Sequence, residues 1–412
     1  MRFLLITLGS AGDVHPFVGL ALRLQQRGHC VTLMTSGYFE DLARSAGVEF
    51  EALGTREEFE RITDNPTLWH PTKGFSVVAQ SVLHFLPGMY EKIEQHLRHH
   101  PETILVGSSL AFAARLMQEK MGAPLVTVHL SPSTIRSAYD MMKIPGVPIG
   151  KRWPVWTKRA FFAMADWLIL DRALAPGLNA FRREIGMPPV KRIVGHWWHS
   201  PQLVLGLWPE IFAAPQPDWP AHAVLTGFPL WDEIGVTPMS EELKQFLAAG
   251  PAPVAFTPGS AMMHGEEFFR KAVGACMAAN VRGLLLSRHR RHLPERLPEN
   301  VAHFEYAPFS QLLPRCAALV HHGGIGTTAQ ALATGTPQIV VPFSFDQFDN
   351  ADRSRRLGVA KVIPQKRFRA KRIAVAIAEV AGASSRAAAI AGKITAVDGL
   401  DAASVQIERL MA

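Results

Sequence analysis

A carboxylate and an imidazole lie two residues apart in a glycine-containing segment near the start of the chain. The segment Gly9-Ser10-Ala11-Gly12-Asp13-Val14-His15-Pro16 falls between a predicted strand and a predicted helix. Glycine allows a sharp turn at such a junction, and proline suits a first helical turn. We expect Asp13 and His15 to project from it, where either could act as a general base. The alternatives are an aspartate that only caps the helix and a histidine with a structural role.

A second segment combines imidazoles, glycines and hydroxyls. Leu319-Val320-His321-His322-Gly323-Gly324-Ile325-Gly326-Thr327-Thr328 has the pattern of a strand, a glycine loop and a helix. Backbone N–H groups at such a junction bind phosphate, helped by the positive end of the helix dipole. An imidazole and two hydroxyls add further hydrogen-bond donors. The pattern therefore predicts a phosphate site, and the alternative is a tight turn with histidines in the core.

The same segment also satisfies a dinucleotide-binding pattern. Gly324-Ile325-Gly326-Thr327-Thr328-Ala329 matches G-x-G-x-x-G/A, and Asp346 lies twenty residues after Gly326. An NAD-dependent oxidoreductase is therefore an alternative function. The loop follows about the fourth strand of its domain instead of the first, which disfavours that alternative.

A third segment places a carboxylate beside a carboxamide. Val341-Pro342-Phe343-Ser344-Phe345-Asp346-Gln347-Phe348-Asp349-Asn350 follows a predicted strand. Asp346 and Gln347 together offer acceptors and a donor, which suits the vicinal hydroxyls of a sugar. The alternative is that Asp346 or Asp349 caps a helix.

Alternating short strands and helices must position these segments. The first series predicts strands at 3–8, 30–34, 48–53, 103–106 and 124–129, with helices at 16–27, from 38 and at 110–121. The second series predicts strands at 254–257, 283–287, 317–321 and 338–341, with helices at 266–279, 327–333 and 349–357. Such alternation indicates an α/β fold of two Rossmann-like domains with parallel sheets. Two such domains that face each other form a cleft at the carboxyl ends of their strands.

Composition shifts predict where the domains divide. Prolines cluster between 215 and 253, as expected of an interdomain connection. We therefore expect an N-terminal domain over 1–225, a linker over 226–252, a C-terminal domain over 253–385 and a helical tail over 386–412. Residues 55–100 and 131–200 look less regular and rich in aromatic residues, which is typical of a substrate pocket or a lid.

Overall composition excludes several classes of protein. The 412 residues are 48% hydrophobic and 19% charged, which excludes a disordered chain. Three cysteines without a CxxC pair exclude a disulfide framework, and the chain has no D-x-D triplet, so we expect no metal. The net charge of +8 favours anionic partners. Nucleic-acid binding is not expected, because no recognised module is visible.

The sequence also bears on location. Few cysteines suit a reducing compartment, and the first apolar run ends at Gly9 without a small-residue cleavage site, so we expect a cytoplasmic protein. The longest later apolar stretch, 160–170, is shorter than the ~20 residues of a spanning helix. Basic runs at 282–296 and 353–372 leave peripheral contact with the inner face of the cytoplasmic membrane open.

These segments together resemble a known family. With Thr257-Pro258-Gly259-Ser260 and the segment YAPFSQLLP, they resemble the GT-B glycosyltransferases of the UDP-glycosyltransferase superfamily over nearly the whole chain. The segments LSPSTIRSAY, WWHSPQ and LTGFPLWDE are most similar to the rhamnosyltransferase B chain of rhamnolipid synthesis and its bacterial relatives. The resemblance implies that the N-terminal domain binds an acceptor and the C-terminal domain a nucleotide-diphosphate sugar.

The resemblance assigns donor-binding residues by their match to the family's motifs. His322, the amides of the loop at Gly324 and Gly326, and Thr327 would contact the diphosphate. Ser260 would approach the nucleotide or phosphate, and the backbone near Ala307 would meet the base. Asp346 and Gln347 would bind the sugar.

The resemblance also implies a mechanism. Asp13 matches the catalytic base of bacterial members, with His15 as the second candidate, and we expect acceptor contacts at Gly12, His129 and Ser131. The loop at 107–110 lacks the carboxylate that supports a histidine base in plant relatives, so deprotonation by Asp13 alone is the simplest mechanism.

The implied function is inverting transfer of a hexose, from TDP-rhamnose or UDP-glucose, to a hydroxyl of a hydrophobic or lipid-like acceptor such as a hydroxy-fatty acid. It needs no cofactor. An NAD-dependent oxidoreductase, a GT-B-fold sugar-nucleotide epimerase and a nonenzymatic sugar-nucleotide sensor are the alternatives.

Overall fold

Two parallel β-sheets organise the computed structural model, which describes residues 1–71, 73–147, 149–150, 152–260, 262 and 265–410. The first sheet contains β1 Arg2–Ile6, β2 Cys30–Thr35, β3 Glu49–Ala52, β4 Ile104–Ser108, β5 Leu125–His129, β6 Leu203–Gly206 and β7 Ala223–Leu225. The second contains β8 Val254–Thr257, β9 Gly283–Leu286, β10 Val301–Phe304, β11 Ala318–His321, β12 Gln338–Val340 and β13 Ala360–Val362.

Helices follow most strands. Those before the second sheet are α1 Ala11–Gln26, α2 Glu40–Ser45, α3 Arg56–Thr63, α4 Gly74–His99, α5 Phe112–Met121, α6 Val155–Ala165, α7 Asp171–Glu184 and α8 Glu241–Ala248. Those that follow are α9 Glu266–Ala279, α10 Phe309–Leu312, α11 Ile325–Ala333, α12 Gln347–Arg356, α13 Ala370–Ala381, α14 Ser384–Ile394 and α15 Gly399–Arg409.

Strand order places the chemistry-bearing loops at equivalent positions in the two sheets. The orders are β3-β2-β1-β4-β5-β6-β7 and β10-β9-β8-β11-β12-β13. In each sheet the strands are added first towards one edge and then towards the other. This reversal of strand order falls between β1 and β4 in the first sheet and between β8 and β11 in the second. Ligands bind at such reversal points, outside the carboxyl ends of the strands. The loops after β1, β8 and β11 begin there, which confirms the predicted pair of Rossmann-like domains.

Several predicted elements differ from the structure. The prediction of an irregular segment at 55–100 is wrong, because 74–99 forms the single helix α4. Its buried positions recur every three or four residues, at Ala79, Val82, Leu86, Met89, Ile93 and Leu97, which is the spacing of one helical face. Helix α1 begins at Ala11 instead of 16, so Asp13 lies in its first turn. The strands at 203–206, 223–225, 301–304 and 360–362 were not predicted.

The last helix returns to the first domain. Leu400, Ala403 and Ile407 of α15 are buried in the hydrophobic core that contains β1 and α1. Arg27 of α1 pairs with Glu408 at 2.7 Å. No single described helix is long and apolar enough to cross a bilayer; one pair, Ala370–Ala381 with Ser384–Arg409, reaches the length and composition together but is bent by 69°.

A buried arginine joins the two domains. Arg353 of α12 is 4% exposed, and its Nε donates to Asp349 Oδ2 at 2.7 Å. Its Nη1 donates to Asp140 Oδ2 at 2.8 Å, across to the segment that follows β5. Asp349 Oδ1 in turn accepts from the backbone N–H of Lys143 at 2.9 Å. The buried Asp349 carboxylate therefore pairs with this buried cation, whereas Asp140 also pairs with Arg356 at 3.3 Å.

A tight turn connects β11 to α11. Gly323 has φ of 92°, and a Cβ there would lie 2.8 Å from Val340 Cγ1 and 3.1 Å from the Gln347 carbonyl oxygen. Only glycine adopts this backbone and fits this space without strain. A Cβ on Gly326, three residues later, would meet no atom within 4 Å. The two glycines of one loop thus meet different constraints.

Replacing Arg353 by methionine will lower the free energy of unfolding by about 3–5 kcal/mol, because the buried Asp349 carboxylate loses its cation. Arg355→Met is the matched control: Arg355 pairs with Asp352 on the surface, 57% exposed, and its loss will cost at most about 1 kcal/mol. Urea unfolding of both variants measures the difference. Equal losses of free energy in the two variants would show that the buried ion pairs of Arg353 stabilise the protein no more than the exposed ion pair of Arg355.

Gly323→Ala will destabilise the protein by more than about 1 kcal/mol, because alanine is strained at positive φ and its Cβ meets Val340. Gly326→Ala will leave the stability unchanged or raise it by up to about 1 kcal/mol, since alanine favours a helix. Thermal unfolding of the two variants makes the comparison. A Gly323→Ala protein as stable as Gly326→Ala would contradict the strained turn.

Candidate active site

Asp13 lies in the first turn of α1, directly after the turn at Gly9. Its Oδ2 accepts hydrogen bonds from the Ser10 backbone N–H at 2.8 Å and from Ser10 Oγ at 3.1 Å. A Cβ on Gly9, which has φ of 136°, would lie 2.3 Å from this oxygen, so glycine makes room for the carboxylate. Oδ1 has no hydrogen bond within the described residues. Burial raises the pKa of Asp13, against the Ser10 hydrogen bonds that lower it.

His15 lies two residues after Asp13 in α1, but its side chain contacts the predicted linker. Its Nε2 is 3.2 Å from Glu233 Oε1, and its ring meets Trp231 edge to face with centroids 5.3 Å apart. Glu233 also pairs with Arg288 of the second domain at 3.1 Å. The structure therefore places His15 beside the Glu233 carboxylate, which links it to Arg288 of the second domain.

The two adjacent histidines of the glycine loop have different surroundings. His321 is buried, its Nδ1 accepts from the Gly323 N–H at 3.1 Å, and its Nε2 lies 3.0 Å from Gln338 Oε1. Because the Gly323 N–H must donate to Nδ1, the proton lies on Nε2. Burial lowers the pKa of His321 to about 3. His321 is therefore neutral and holds the loop in shape.

His322 lies between two other glycines. A Cβ on Gly259 would be 2.7 Å from its Cε1, and a Cβ on Gly324 would be 2.4 Å from its Nε2. Its Nδ1 is buried and has no hydrogen-bond partner among the described residues. Burial lowers its pKa to about 4, so the ring is neutral near pH 7. Gly324 caps α11, and Gly326 and Thr327 form its first turn.

Asn350 joins the glycine loop, the Asp346 carboxylate and the first domain. Its Nδ2 donates to the Gly323 carbonyl at 3.0 Å and to Asp346 Oδ2 at 2.7 Å. Its Oδ1 accepts from Ser131 Oγ at 3.2 Å, across the cleft. Burial, together with the nearby charge of Asp13, raises the pKa of Asp346 to about 6. Asp13, Ser131 and Asp346 therefore meet at one place.

Gln347 supports the loop before α12. Its Oε1 accepts from the backbone N–H groups of Phe343 at 2.8 Å and Ser344 at 3.1 Å. Phe345 within this loop has φ of 53°. The side-chain carbonyl oxygen of Gln347 is therefore occupied by hydrogen bonds within the protein. Its side-chain N–H groups are the donors available to a ligand.

A chain of rings ends at His129, the last residue of β5. The Trp198 indole N–H donates to His199 Nε2 at 3.2 Å, and His199 Nδ1 lies 2.9 Å from His129 Nε2. Since the indole only donates, His199 carries its proton on Nδ1 and His129 on its own Nδ1. That Nδ1 is buried and has no partner among the described residues. Burial holds the pKa of His129 well below its usual range.

The remaining predicted site residues lie apart from this centre. Ser260 is exposed and lines an interdomain cavity of about 320 Å³ with Tyr38, Arg61, His289 and Arg291, among others. Ala307 is 2% exposed and packs in a hydrophobic cluster of the second domain. Gly12 lies in the first turn of α1, beside Asp13. Within the described ranges, no three His, Cys, Asp or Glu side chains are grouped so as to hold a metal ion.

Three residues of this centre have no predicted role. Asn350 stands four residues after Asp346, so it lies one helical turn away on the same face of α12. That spacing was the signal available in the sequence. Gly9 and Gly259 have no such signal, because only the structure shows that the side chains of Asp13 and His322 lie against them.

Two family models match parts of the chain. The glycosyltransferase family 28 N-terminal domain matches residues 3–140. The C-terminal domain of erythromycin biosynthesis protein CIII-like proteins matches residues 279–397. The two matches fall on the two sheets, and each includes one of the glycine loops described above.

Known proteins are similar over most or all of the chain. An O-mycaminosyltylonolide 6-deoxyallosyltransferase of Streptomyces fradiae is 31% identical over 99% of this chain and 97% of its own length. A sterol 3-beta-glucosyltransferase of Arabidopsis thaliana is 25% identical over 87% of this chain, which spans 59% of that protein. The structure of a spinosyn rhamnosyltransferase complexed with thymidine diphosphate covers 99% of this chain and 100% of its own, with a TM-score of 0.65 and 20% identity.

These similarities support the predicted transferase over the oxidoreductase alternative, for which they give no support. The likeness to the rhamnosyltransferase B chain of rhamnolipid synthesis stays a prediction. The full-length match at 31% identity and the two family models agree with the facing parallel sheets. The chain therefore belongs to the GT-B glycosyltransferases, and it is a glycosyltransferase.

Proposed function

We propose that the protein transfers a deoxyhexose from a thymidine diphosphate sugar to a hydroxyl of a hydrophobic acceptor, with inversion at the anomeric carbon. Rhamnose is the first candidate for the sugar. The observation that carries the proposal is the Asp13 carboxylate. Its Oδ2 accepts from Ser10, and among the described residues its Oδ1 has no hydrogen-bond partner at the place where Asp346 and Ser131 meet. A free carboxylate oxygen of raised pKa suits a general base.

The donor side is supported by the glycine loop. The neutral His322 offers an N–H without taking a charge into a buried position, and its Nδ1 has no other partner among the described residues. Gly326 leaves open space at the first turn of α11, where the helix dipole is positive. We assign the diphosphate to this space, Asp346 and Gln347 to the sugar hydroxyls, and Ser260 and the backbone near Ala307 to the nucleotide.

Thymidine diphosphate is the first choice of nucleotide because of the relatives. The spinosyn rhamnosyltransferase was determined with thymidine diphosphate, and the Streptomyces fradiae relative is a deoxyhexosyltransferase by name. The Arabidopsis relative is a glucosyltransferase by name, so a UDP-glucose donor is the alternative.

The acceptor side favours an apolar molecule. A cavity of about 240 Å³ lies between the segment 141–147 and α12, and its lining combines the apolar Met141, Ile144, Val147 and Ile149 with the charged Lys143, Asp352 and Arg355. One relative is named for O-mycaminosyltylonolide as its acceptor and another for a sterol. Ser131 and the unpartnered Nδ1–H of His129 supply the hydrogen-bonding groups on this side of the cleft. A lipid with a free hydroxyl, such as a hydroxy-fatty acid, fits these features.

The step that follows is a direct displacement. The acceptor hydroxyl gives its proton to Asp13 Oδ1 as its oxygen forms a bond to the anomeric carbon. The bond from that carbon to the diphosphate breaks, and the diphosphate leaves with the electron pair. Negative charge grows on the diphosphate, so donors at His322 and the α11 amides stabilise the transition state more than the ground state. This step uses no cofactor and no metal, and the composition of the chain supports a cytoplasmic location.

Calorimetric titration tests the donor site. TDP will bind more tightly than UDP, NAD will not bind, and His322→Ala will weaken TDP binding about tenfold or more, because a hydrogen bond to a charged group is lost. His303→Ala on the β10 strand is the matched control and will leave TDP affinity unchanged. Binding of NAD in place of both nucleotides would overturn the transferase assignment. Unchanged affinity in His322→Ala would remove His322 from the diphosphate site.

Steady-state kinetics test the base. Asp13→Asn will lower kcat by about 10²- to 10⁴-fold while TDP affinity is retained. A base must be ionised, so activity falls as the pH drops through its pKa, and burial of Asp13 places this fall at a higher pH than for an ordinary aspartate. Ser10→Ala will move it higher still, since the Ser10 hydroxyl lowers the pKa of Asp13.

Full activity of Asp13→Asn would show that the carboxylate only caps α1. A pH profile that Ser10→Ala does not move would also exclude Asp13 as the base. Sugar-nucleotide interconversion without any acceptor would identify an epimerase instead, and donor binding without turnover in the wild type would identify a sensor.

A further inference from the structure

Helix α6 and the residues after it expose an unusual concentration of large apolar side chains. Trp156 is 71% exposed and Trp167 is 75% exposed. Around them Trp153, Met164, Leu168 and Ile169 are each more than 40% exposed. These six residues are called the tryptophan face below. Trp156, Met164 and Trp167 are eight and three residues apart, which places them on one side of a helix that continues from 155 to 170. Trp153 precedes this helix, and Leu168 and Ile169 directly follow Trp167.

The exposed charge around the tryptophan face is mostly positive. Three exposed arginines accompany it: Arg152 lies at one end, Arg159 in the middle and Arg172 at the other end. Asp171, between Ile169 and Arg172, is partly buried and accepts hydrogen bonds from the backbone N–H groups of Arg192 at 2.7 Å and Ile193 at 2.9 Å. The one carboxylate between 152 and 170, Asp166, points inward: it is 3% exposed and bonds Arg136 at 2.8 Å. The face therefore presents tryptophan, aliphatic side chains and cations to its surroundings, with no exposed carboxylate among 152–170.

We propose that the tryptophan face docks on an anionic lipid bilayer. Tryptophan prefers the level of the lipid headgroups, where its ring is apolar and its N–H is hydrated. Helices that lie in this plane combine such apolar side chains with arginines that meet anionic headgroups. A second copy of the chain fits less well, because a two-fold contact would set the same arginines against each other.

The face is coupled to the acceptor side of the cleft. Arg136, which holds Asp166, belongs to the segment after β5 that also carries Ser131. A Cβ on Gly195 would lie 2.3 Å from Arg136 Nη2 and 2.7 Å from Asp166 Oδ2, so the pair packs directly on the segment 193–197. Docking would thus place the acceptor side of the cleft close to the bilayer, where a lipid-like acceptor resides. Membrane binding itself does not require the proposed function.

Flotation with vesicles tests the proposal. The full chain will float with vesicles of phosphatidylglycerol and phosphatidylethanolamine and will bind phosphatidylcholine vesicles less. The variant Trp156→Ser/Trp167→Ser will lose about tenfold or more of its affinity for anionic vesicles. The variant Arg152→Gln/Arg159→Gln/Arg172→Gln will lose about fivefold for each charge that contacts the headgroups.

Two matched controls isolate the face. Met277→Ser/Val375→Ser removes side chains of similar exposure on α9 and α13, and it will bind as the wild type does. Arg367→Gln/Arg369→Gln/Arg372→Gln neutralises three exposed arginines of the basic run at 353–372, and it will also bind as the wild type does. All variants will keep wild-type TDP affinity, which shows that they are folded and separates this test from the test of the transferase.

Three outcomes would overturn the proposal. One is a wild type that does not float with anionic vesicles. Another is that Trp156→Ser/Trp167→Ser binds anionic vesicles as tightly as the wild type does, or that the variant of the basic run is the one that loses binding. The third is a dimer in light scattering that Trp156→Ser/Trp167→Ser converts to a monomer, because the face would then be covered by a second copy.

Discussion

The reaction centre depends on one buried carboxamide. Asn350 is fully buried, its amide group donates to the Gly323 carbonyl and to Asp346, and its oxygen accepts from Ser131. Its three partners belong to the glycine loop, the loop that carries Asp346 and the first domain. A buried amide that lost these partners would keep its cost of desolvation. The hydrogen bonds of Asn350 therefore favour one relative position of the two domains, the one in which Ser131 meets Asp346. Arg353, one turn further along α12, acts between the same elements through Asp140.

Burial at this centre shapes the chemistry of its ionisable groups. Each of the two side chains proposed to act on the reacting groups lies against glycine: Asp13 over Gly9, and His322 between Gly259 and Gly324. Close packing against backbone removes water, which raises the pKa of the carboxylate and lowers that of the imidazole. Both shifts favour the neutral forms. A base with a raised pKa binds the acceptor proton more strongly, and a neutral imidazole keeps an N–H for the diphosphate.

The positions of the motifs proposed to bind the donor could be predicted from the sequence, because each motif is short and local. The glycine loop at 323–326 and the pair Asp346-Gln347 follow directly after strands, so their order along the chain gives their positions at the edge of the sheet. The different contacts of neighbouring residues within those motifs could not be predicted. Nothing in the order of His321 and His322 indicates that the first holds the loop through Gly323 while the second is left unpartnered. Asn350 was part of a motif, but its contact with Ser131 joins residues 219 positions apart.

The acceptor half is harder to predict for a physical reason. Its groups come from long segments between strands, and they are arranged by contacts that span many residues. His129 takes its tautomer from His199 and Trp198, about seventy residues away. The Arg136–Asp166 pair joins the segment after β5 to a helix whose outer side is apolar. Aromatic residues in 131–200 predicted a pocket or lid, and the structure divides them: Trp197 and Trp198 are buried beside the sheet, whereas Trp156 and Trp167 face outward. Composition alone cannot separate these two groups, because the distinction depends on which side of each helix faces the sheet.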